Sequence, residues 1–260
     1  MLSINQTNIY LLKQKILCFL LTVGYMFANA QTKNFFFKTL TTKNGLSYNL
    51  VNCLLEDREG YIWIGTFNGL NRYDGFDFVV FKYDRNNPNS IAHNNVLSIC
   101  EDKQGDIWIA TPNGVRRYNK RSNIFTNYLP ETKTKDASES NDAGNILCDR
   151  HGTIWVTTDN GLFKFNSLSS SFTAYKNDPK NIKTISSNWI ERNAFTEDPE
   201  HDLLWIGTDK GLNCFDTRNE VFYNYKNNPA QLPVFNDNII YPVTFDKKNK
   251  LVFGDNSEKK

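Results

Sequence analysis

Tyr61-Ile62-Trp63-Ile64-Gly65-Thr66-x-x-Gly69-Leu70-x-x-Tyr73 is the stretch that decides the fold, because it returns three more times in a chain of 260 residues. The copies run Asp106-Ile107-Trp108-Ile109-Ala110-Thr111-x-x-Gly114-Val115-x-x-Tyr118, Thr153-Ile154-Trp155-Val156-Thr157-Thr158-x-x-Gly161-Leu162-x-x-Phe165, and Leu203-Leu204-Trp205-Ile206-Gly207-Thr208-x-x-Gly211-Leu212-x-x-Phe215. Their tryptophans recur at intervals of 45, 47 and 50 residues, the length of one four-stranded propeller blade.

Each repeat reads strand by strand. An apolar run such as Leu50 to Leu55 or Asn95 to Cys100 is the innermost strand. A polar turn, Glu56-Asp57-Arg58-Glu59-Gly60 or Glu101-Asp102-Lys103-Gln104-Gly105, leads to the Trp strand. The repeated Gly accepts the positive φ of a hairpin turn before the third strand. An outer strand follows with an aromatic-x-x-aromatic signature: Phe78 and Phe81, Phe125 and Tyr128, Phe172 and Tyr175, Phe222 and Tyr225. These rings and the tryptophans are expected between neighbouring blades, where aromatic residues fill a pleated surface.

The expected fold is therefore all-β: a propeller with four complete blades at about residues 45–83, 91–129, 141–176 and 184–226, and a partial fifth at 236–256. In the fifth, Asn238 to Phe245 and Lys250 to Gly254 match the first two strands, with Val252 where Trp is expected. Residues 35–40 match an outer strand that could complete a closing blade. A five-bladed ring with one incomplete blade is one solution. The expectation is an incomplete propeller, an arc cut from a larger ring.

Residues 1–30 read as a signal peptide: Lys13 and Lys15, an apolar run from Ile16 to Phe27, then Ala28-Asn29-Ala30, with cleavage before Gln31. The run is shorter than the ~20 apolar residues a bilayer needs, so a mature chain of residues 31–260 without a membrane span, exported to the periplasm, is expected. The mature chain keeps Cys53, Cys100, Cys148 and Cys214, widely spaced and without C-x-x-C pairing, which reads as buried free thiols. His93, His151 and His201 form no cluster with them, so no metal and no cofactor is expected. With 30 Lys and Arg against 28 Asp and Glu, the formal charge of +2 offers no basic field for nucleic acid.

The coupled motif, Asn-x-Val followed by Glu-Asp-x-x-Gly-x-Ile-Trp-Ile-Gly-Thr-x-x-Gly-Leu-x-x-Tyr-Asp, resembles the two-component regulator propeller repeat over nearly the whole mature chain. Ala110, Thr157, the longer turn Glu197-Asp198-Pro199-Glu200-His201-Asp202 and Val252 depart from it. The resemblance implies the extracytoplasmic sensor region of a two-component regulator, in which such propellers precede a further β domain, a membrane helix and a histidine kinase. None of those parts is visible here, so a truncated or split sensor is expected, partnered by the missing downstream parts or by a second copy. By the same resemblance the ligand class is an oligosaccharide.

Propeller ligands engage loops near the central channel, so the variable positions just before each innermost strand are the candidates for a site. Beside Asn49, Asn94 and Asn188 stand Tyr48, His93 and Trp189. Trp189 is not required by the repeat, and with Tyr48, His93 and Arg192 it could supply a stacking face and hydrogen bonds for a sugar. No Ser-His-Asp arrangement, G-x-S-x-G elbow or H-E-x-x-H string is present, and Glu56-Asp57, Glu101-Asp102 and Glu197-Asp198 read as turn formers. The chain is therefore expected not to be an enzyme, with no catalytic residue. A secreted propeller lyase or glycosidase and a protein-interaction scaffold stand as alternatives.

Overall fold

A computed structural model of the chain describes residues 37–128, 142–224, 226–228 and 239–255, together with Lys15. The expected signal sequence lies outside them apart from Lys15, as do Tyr225 and residues 35 and 36. Contacts divide the chain into two units, Met1–Thr39 and Leu40–Lys260, and the second carries the fold.

Among the described residues, four antiparallel sheets of four strands and one of two follow each other along the chain, each in simple meander order. Blade 1 comprises β1 (Val51–Glu56), β2 (Ile62–Thr66), β3 (Gly69–Tyr73) and β4 (Phe78–Phe81). Blade 2 comprises β5 (Ser98–Glu101), β6 (Ile107–Thr111), β7 (Gly114–Asn119) and β8 (Ile124–Tyr128). Blade 3 comprises β9 (Ala143–Cys148), β10 (Ile154–Thr158), β11 (Gly161–Asn166) and β12 (Ser171–Tyr175). Blade 4 comprises β13 (Ile190–Glu197), β14 (Leu203–Thr208), β15 (Gly211–Asp216) and β16 (Val221–Asn224), and blade 5 only β17 (Ile240–Phe245) and β18 (Leu251–Asp255). The first strands of successive blades are neighbours, β1 to β5 to β9 to β13 to β17, and the arc does not close. Phe37–Leu40, expected within a closing outer strand, is irregular in the described structure, and Phe37 is exposed.

Cross-strand pairing places Leu55, Trp63 and Arg72 on one face of blade 1 and Leu54, Ile64 and Asn71 on the other. The Trp face of each blade packs on the opposite face of the next. Trp63 meets Ile99, Ile109, Tyr118 and Phe125 of blade 2, and Trp108 meets Ile146, Val156 and Phe165 of blade 3. Trp63, Trp108 and Trp155 are 0%, 1% and 1% exposed, whereas Trp205, covered by a blade of two strands, stays half-buried. Val252, at the equivalent position in blade 5, is 48% exposed, and no further blade covers it among the described residues. At the other end of the arc, Leu54 of blade 1 is 66% exposed and likewise uncovered among them. The outer-strand rings do wedge between blades: Phe81 lies 5.7 Å from Phe125, Tyr128 4.9 Å from Phe165, and Tyr175 5.0 Å from Phe215.

The repeated Asp has a second role besides the turn. In blade 1, Asp57 Oδ1 accepts the amides of Glu59 and Tyr61, each at 3.0 Å, while Oδ2 accepts the indole N–H of Trp63 at 2.8 Å. Asp102 holds Trp108 and Asp149 holds Trp155 at the same 2.8 Å. The longer turn of blade 4 stretches the equivalent Asp198–Trp205 bond to 3.5 Å. Each carboxylate thus closes the turn and satisfies the one polar atom of a buried indole. For Asp57, burial pushes the pKa up, but bonds from Trp63, Lys120 and the Tyr61 amide outweigh it and hold the carboxyl below its ordinary value. The paired glutamates reach across instead: Glu101 accepts the Arg58 amide at 3.0 Å and Glu197 the Arg150 amide at 3.0 Å, tying blade 2 to blade 1 and blade 4 to blade 3.

The residue at the position of Ala110 and Thr157 is closely packed in every blade. A Cβ on Gly65 would sit 2.7 Å from Val96 Cγ1, and one on Gly207 would sit 2.1 Å from the Ile240 carbonyl oxygen. Ala110 is fully buried in a cluster that includes Ala143 of blade 3, and the Thr157 hydroxyl accepts from Asn145 Nδ2 at 2.8 Å.

Candidate ligand-binding site

The repeated Asn that precedes each inner strand is a fastener. Asn94 Oδ1 accepts the Tyr83 amide at 2.8 Å, Asn188 Oδ1 the Asn177 amide at 2.6 Å, and Asn49 Oδ1 the Thr42 amide at 2.9 Å. Each bond anchors the chain arriving from the preceding segment to the start of the next blade. The residues beside these fasteners are presented at one end of the inner strands.

Blade 4 breaks the repeat at this end. Asp198 lies 10 positions after Asn188, whereas Asp57 and Asp102 lie 8 after Asn49 and Asn94. The pairing registers Ile190 with Thr208 and then Phe195 with Ile206, so β13 advances five residues while β14 advances two. The three residues Glu191-Arg192-Asn193, two more than the other repeats spend here, stand out of the sheet as a bulge, with Asn193 left-handed at φ 58°. Blade 3 grips it: Asn145 Nδ2 donates to the Glu191 carbonyl at 3.1 Å, and Asn145 Oδ1 accepts the Asn193 amide at 2.9 Å.

This bulge forms one wall of a cavity of about 430 Å³ bounded by the inner-strand region of four blades. Leu97 comes from blade 2, Asp142, Gly144 and Asp159 from blade 3, Trp189 and the bulge from blade 4, and Tyr241 from blade 5. Trp189 is 53% exposed, and its indole N–H donates to Glu191 Oε1 at 2.8 Å, which fixes the ring's edge and leaves a face for stacking. Arg192 is exposed at the bulge. A half-open pocket with an aromatic wall and convergent polar groups suits a small polar ring with apolar faces.

The structure thus brings Trp189 and Arg192 into one cavity, and neither Tyr48 nor His93 lines it. Tyr48 lies in blade 1, 44% exposed and 6.3 Å from the Phe67 ring. His93 is half-buried and its Nδ1 accepts the Asn95 amide at 3.0 Å. Glu191, Asn193, Asp142, Asp159 and Tyr241 were missed in the sequence; the two-residue surplus between Asn188 and Asp198 marks the stretch that holds Glu191 and Asn193, and no such signal marks the three residues from blades 3 and 5.

A larger groove of about 550 Å³ runs along the outer strands of blade 3 beside Glu220. Its charges answer each other, Lys164 Nζ bonding Glu220 Oε1 at 2.8 Å, so it offers less to a ligand. Among the described residues no group of three or more His, Cys, Asp or Glu is gathered in a metal-binding arrangement, and no helix is long and apolar enough to cross a membrane.

Residues 45–68 and 90–113 match the two-component regulator propeller family. Over 59 residues, 23% of the chain, the sequence is 44% identical to a histidine kinase of Formosa agariphila, of which the match covers 4%. Among solved structures it is similar to the extracellular domains of a hybrid two-component system protein and of a one-component system protein, both from B. thetaiotaomicron. The first has a TM-score of 0.57 at 22% identity and the second 0.60 at 23%. Those matches take in 84% and 80% of this chain but only 34% and 29% of the solved chains.

The expectation that the chain is not an enzyme needs correction. A virginiamycin B lyase from Staphylococcus aureus matches over 86% of this chain and 68% of its own, with a TM-score of 0.56 at 16% identity, close to the values for the sensor domains. Such likeness shows the fold alone, and the fold serves catalysts as well as sensors. Short motif strings do not decide the matter either, because a site at the inner strands draws its residues from different blades.

Proposed function

Because the chain is a β-propeller domain related to the two-component regulator propeller family, we propose that it is a ligand-sensing region of a two-component signal transduction system. It works outside the cytoplasm, in the periplasm, and its ligand is an oligosaccharide held against Trp189 in the cavity of blades 2 to 5. A kinase carried by further parts of the protein, or by a partner chain, reads out the bound state. One observation carries this reading: the exposed Trp189 indole, braced by Glu191 on a bulge that the repeat does not need, faces a cavity of about 430 Å³. The family relationship and the extracellular position of the B. thetaiotaomicron domains support it.

The test is calorimetric titration of the purified chain with a panel of cello-, xylo-, malto- and chito-oligosaccharides, repeated with Trp189→Ala. Loss of a stacking aromatic is expected to weaken binding at least about tenfold. Unchanged affinity in Trp189→Ala would remove the site. Chromatography of the titrated sugars serves as a second readout, since cleavage during the titration would replace the sensor reading with a catalytic one.

A further inference from the structure

We infer that this cavity accepts uncharged or amino-bearing sugars and rejects uronic and sulfated ones. The inference rests on the proposed oligosaccharide site and concerns its selectivity. Three carboxylates, Asp142, Asp159 and Glu191, line the cavity against the single guanidinium of Arg192. Asp142 and Asp159 have interactions of their own, so the weight falls on Glu191.

Glu191 Oε1 accepts the Trp189 indole N–H at 2.8 Å, which stations a negative charge at the rim of the stacking face. An ionised carboxylate only accepts hydrogen bonds, and this one retains acceptor capacity after serving the indole. Sugar hydroxyls and ammonium groups can donate to it. The carboxylate group of a uronate, or a sulfate group, in the same place brings only acceptors and a like charge, which discriminates against it.

The bulge holds that charge where it stands. Asn145 is 8% exposed, anchored to Thr157 Oγ1 at 2.8 Å, and bonds the bulge on both sides of Arg192, at the Glu191 carbonyl and the Asn193 amide. Asn145, in blade 3, is therefore a positioning residue for Glu191 in blade 4. The sugar selectivity of the site is built across the interface between two blades.

The experiment titrates the full chain with three oligosaccharides of equal length: glucose oligomers, glucosamine oligomers and glucuronate-containing oligomers. Trp fluorescence and calorimetry report binding, and each series is repeated with Glu191→Gln, Asn145→Ala and Trp189→Ala. The neutral or amino series is expected to bind at least about tenfold more tightly than the acidic one, the size of one unfavourable charge contact. Glu191→Gln, which keeps the acceptor for the indole, is expected to narrow that ratio about tenfold, and Asn145→Ala to narrow it as well. Tighter, Trp189-dependent binding of the acidic series overturns the selectivity and leaves the oligosaccharide site standing. Absence of binding by all three series, or binding indifferent to Trp189→Ala, overturns the site itself.

Discussion

Replacing Trp108 by Ala tests the packing rule on which the architecture depends. Trp108 is 1% exposed, stacks on Tyr128 at 5.2 Å, meets Phe165 of blade 3 edge-on at 4.8 Å, and donates its indole N–H to Asp102. Truncating a buried aromatic of this size costs about 3–5 kcal/mol. Asp102 also loses a donor, a penalty of about 1 kcal/mol at the lower end of the usual range, because Arg117 remains 3.6 Å away. The sum is about 4–6 kcal/mol. Trp205 is the internal control: half-buried under the two strands of blade 5, with its indole 3.5 Å from Asp198, it is expected to cost about half as much. The assay is urea unfolding followed by far-UV circular dichroism, with the slopes compared so that only midpoint shifts are read as stability. In a thermal scan the Trp108 variant is expected to melt about 10 °C or more below the parent. Trp108→Phe, which keeps a ring but loses the donor, is expected between the two. Equal losses for Trp108→Ala and Trp205→Ala, or a loss below about 1.5 kcal/mol for the former, would refute blade-on-blade burial as the source of stability.

Lys120 Nζ lies 3.1 Å from Asp57, Glu59 and Glu101 and joins blades 1 and 2, so Lys120→Met strands two buried carboxylates and is expected to cost about 3 kcal/mol by urea unfolding, with Glu101→Gln recovering part of it. The depressed pKa values of Asp57 and Asp198 mean that the unfolded chain binds more protons near pH 4; their stabilisation is complete above the ordinary Asp value of ~3.9 and is lost as pH falls through the lower folded values. Urea midpoints measured from pH 7 to pH 2 are expected to decline only at the acid end, and Asp57→Asn to flatten the decline; a midpoint independent of pH would contradict the assignment. Cys53, Cys100, Cys148 and Cys214 are free, and burial pushes Cys53 and Cys214 up to about 12 and Cys148 to about 11. A thiol-reactive dye at pH 8 is expected to label them only after urea is added, and fast labelling of the folded chain would show that these blades open readily.

The blades, their order and their inward faces were legible in the sequence because each is a local unit. A turn Asp, a Trp six or seven residues later and a hairpin Gly recur together, and short-range hydrogen bonds and period-two burial then dictate a four-stranded meander wherever they occur. The site was different in kind. Trp189 and Arg192 could be picked out as departures from the repeat, but their company could not, since Leu97, Asp142, Asp159 and Tyr241 reach the cavity from three other blades. Likewise the spacing records two surplus residues in blade 4, yet only the fold converts them into a bulge, because it takes the neighbouring blade's Asn145 to hold Glu191 beside the indole. Repetition specifies contacts along the chain; cavities and their charges arise where separate repeats meet in space.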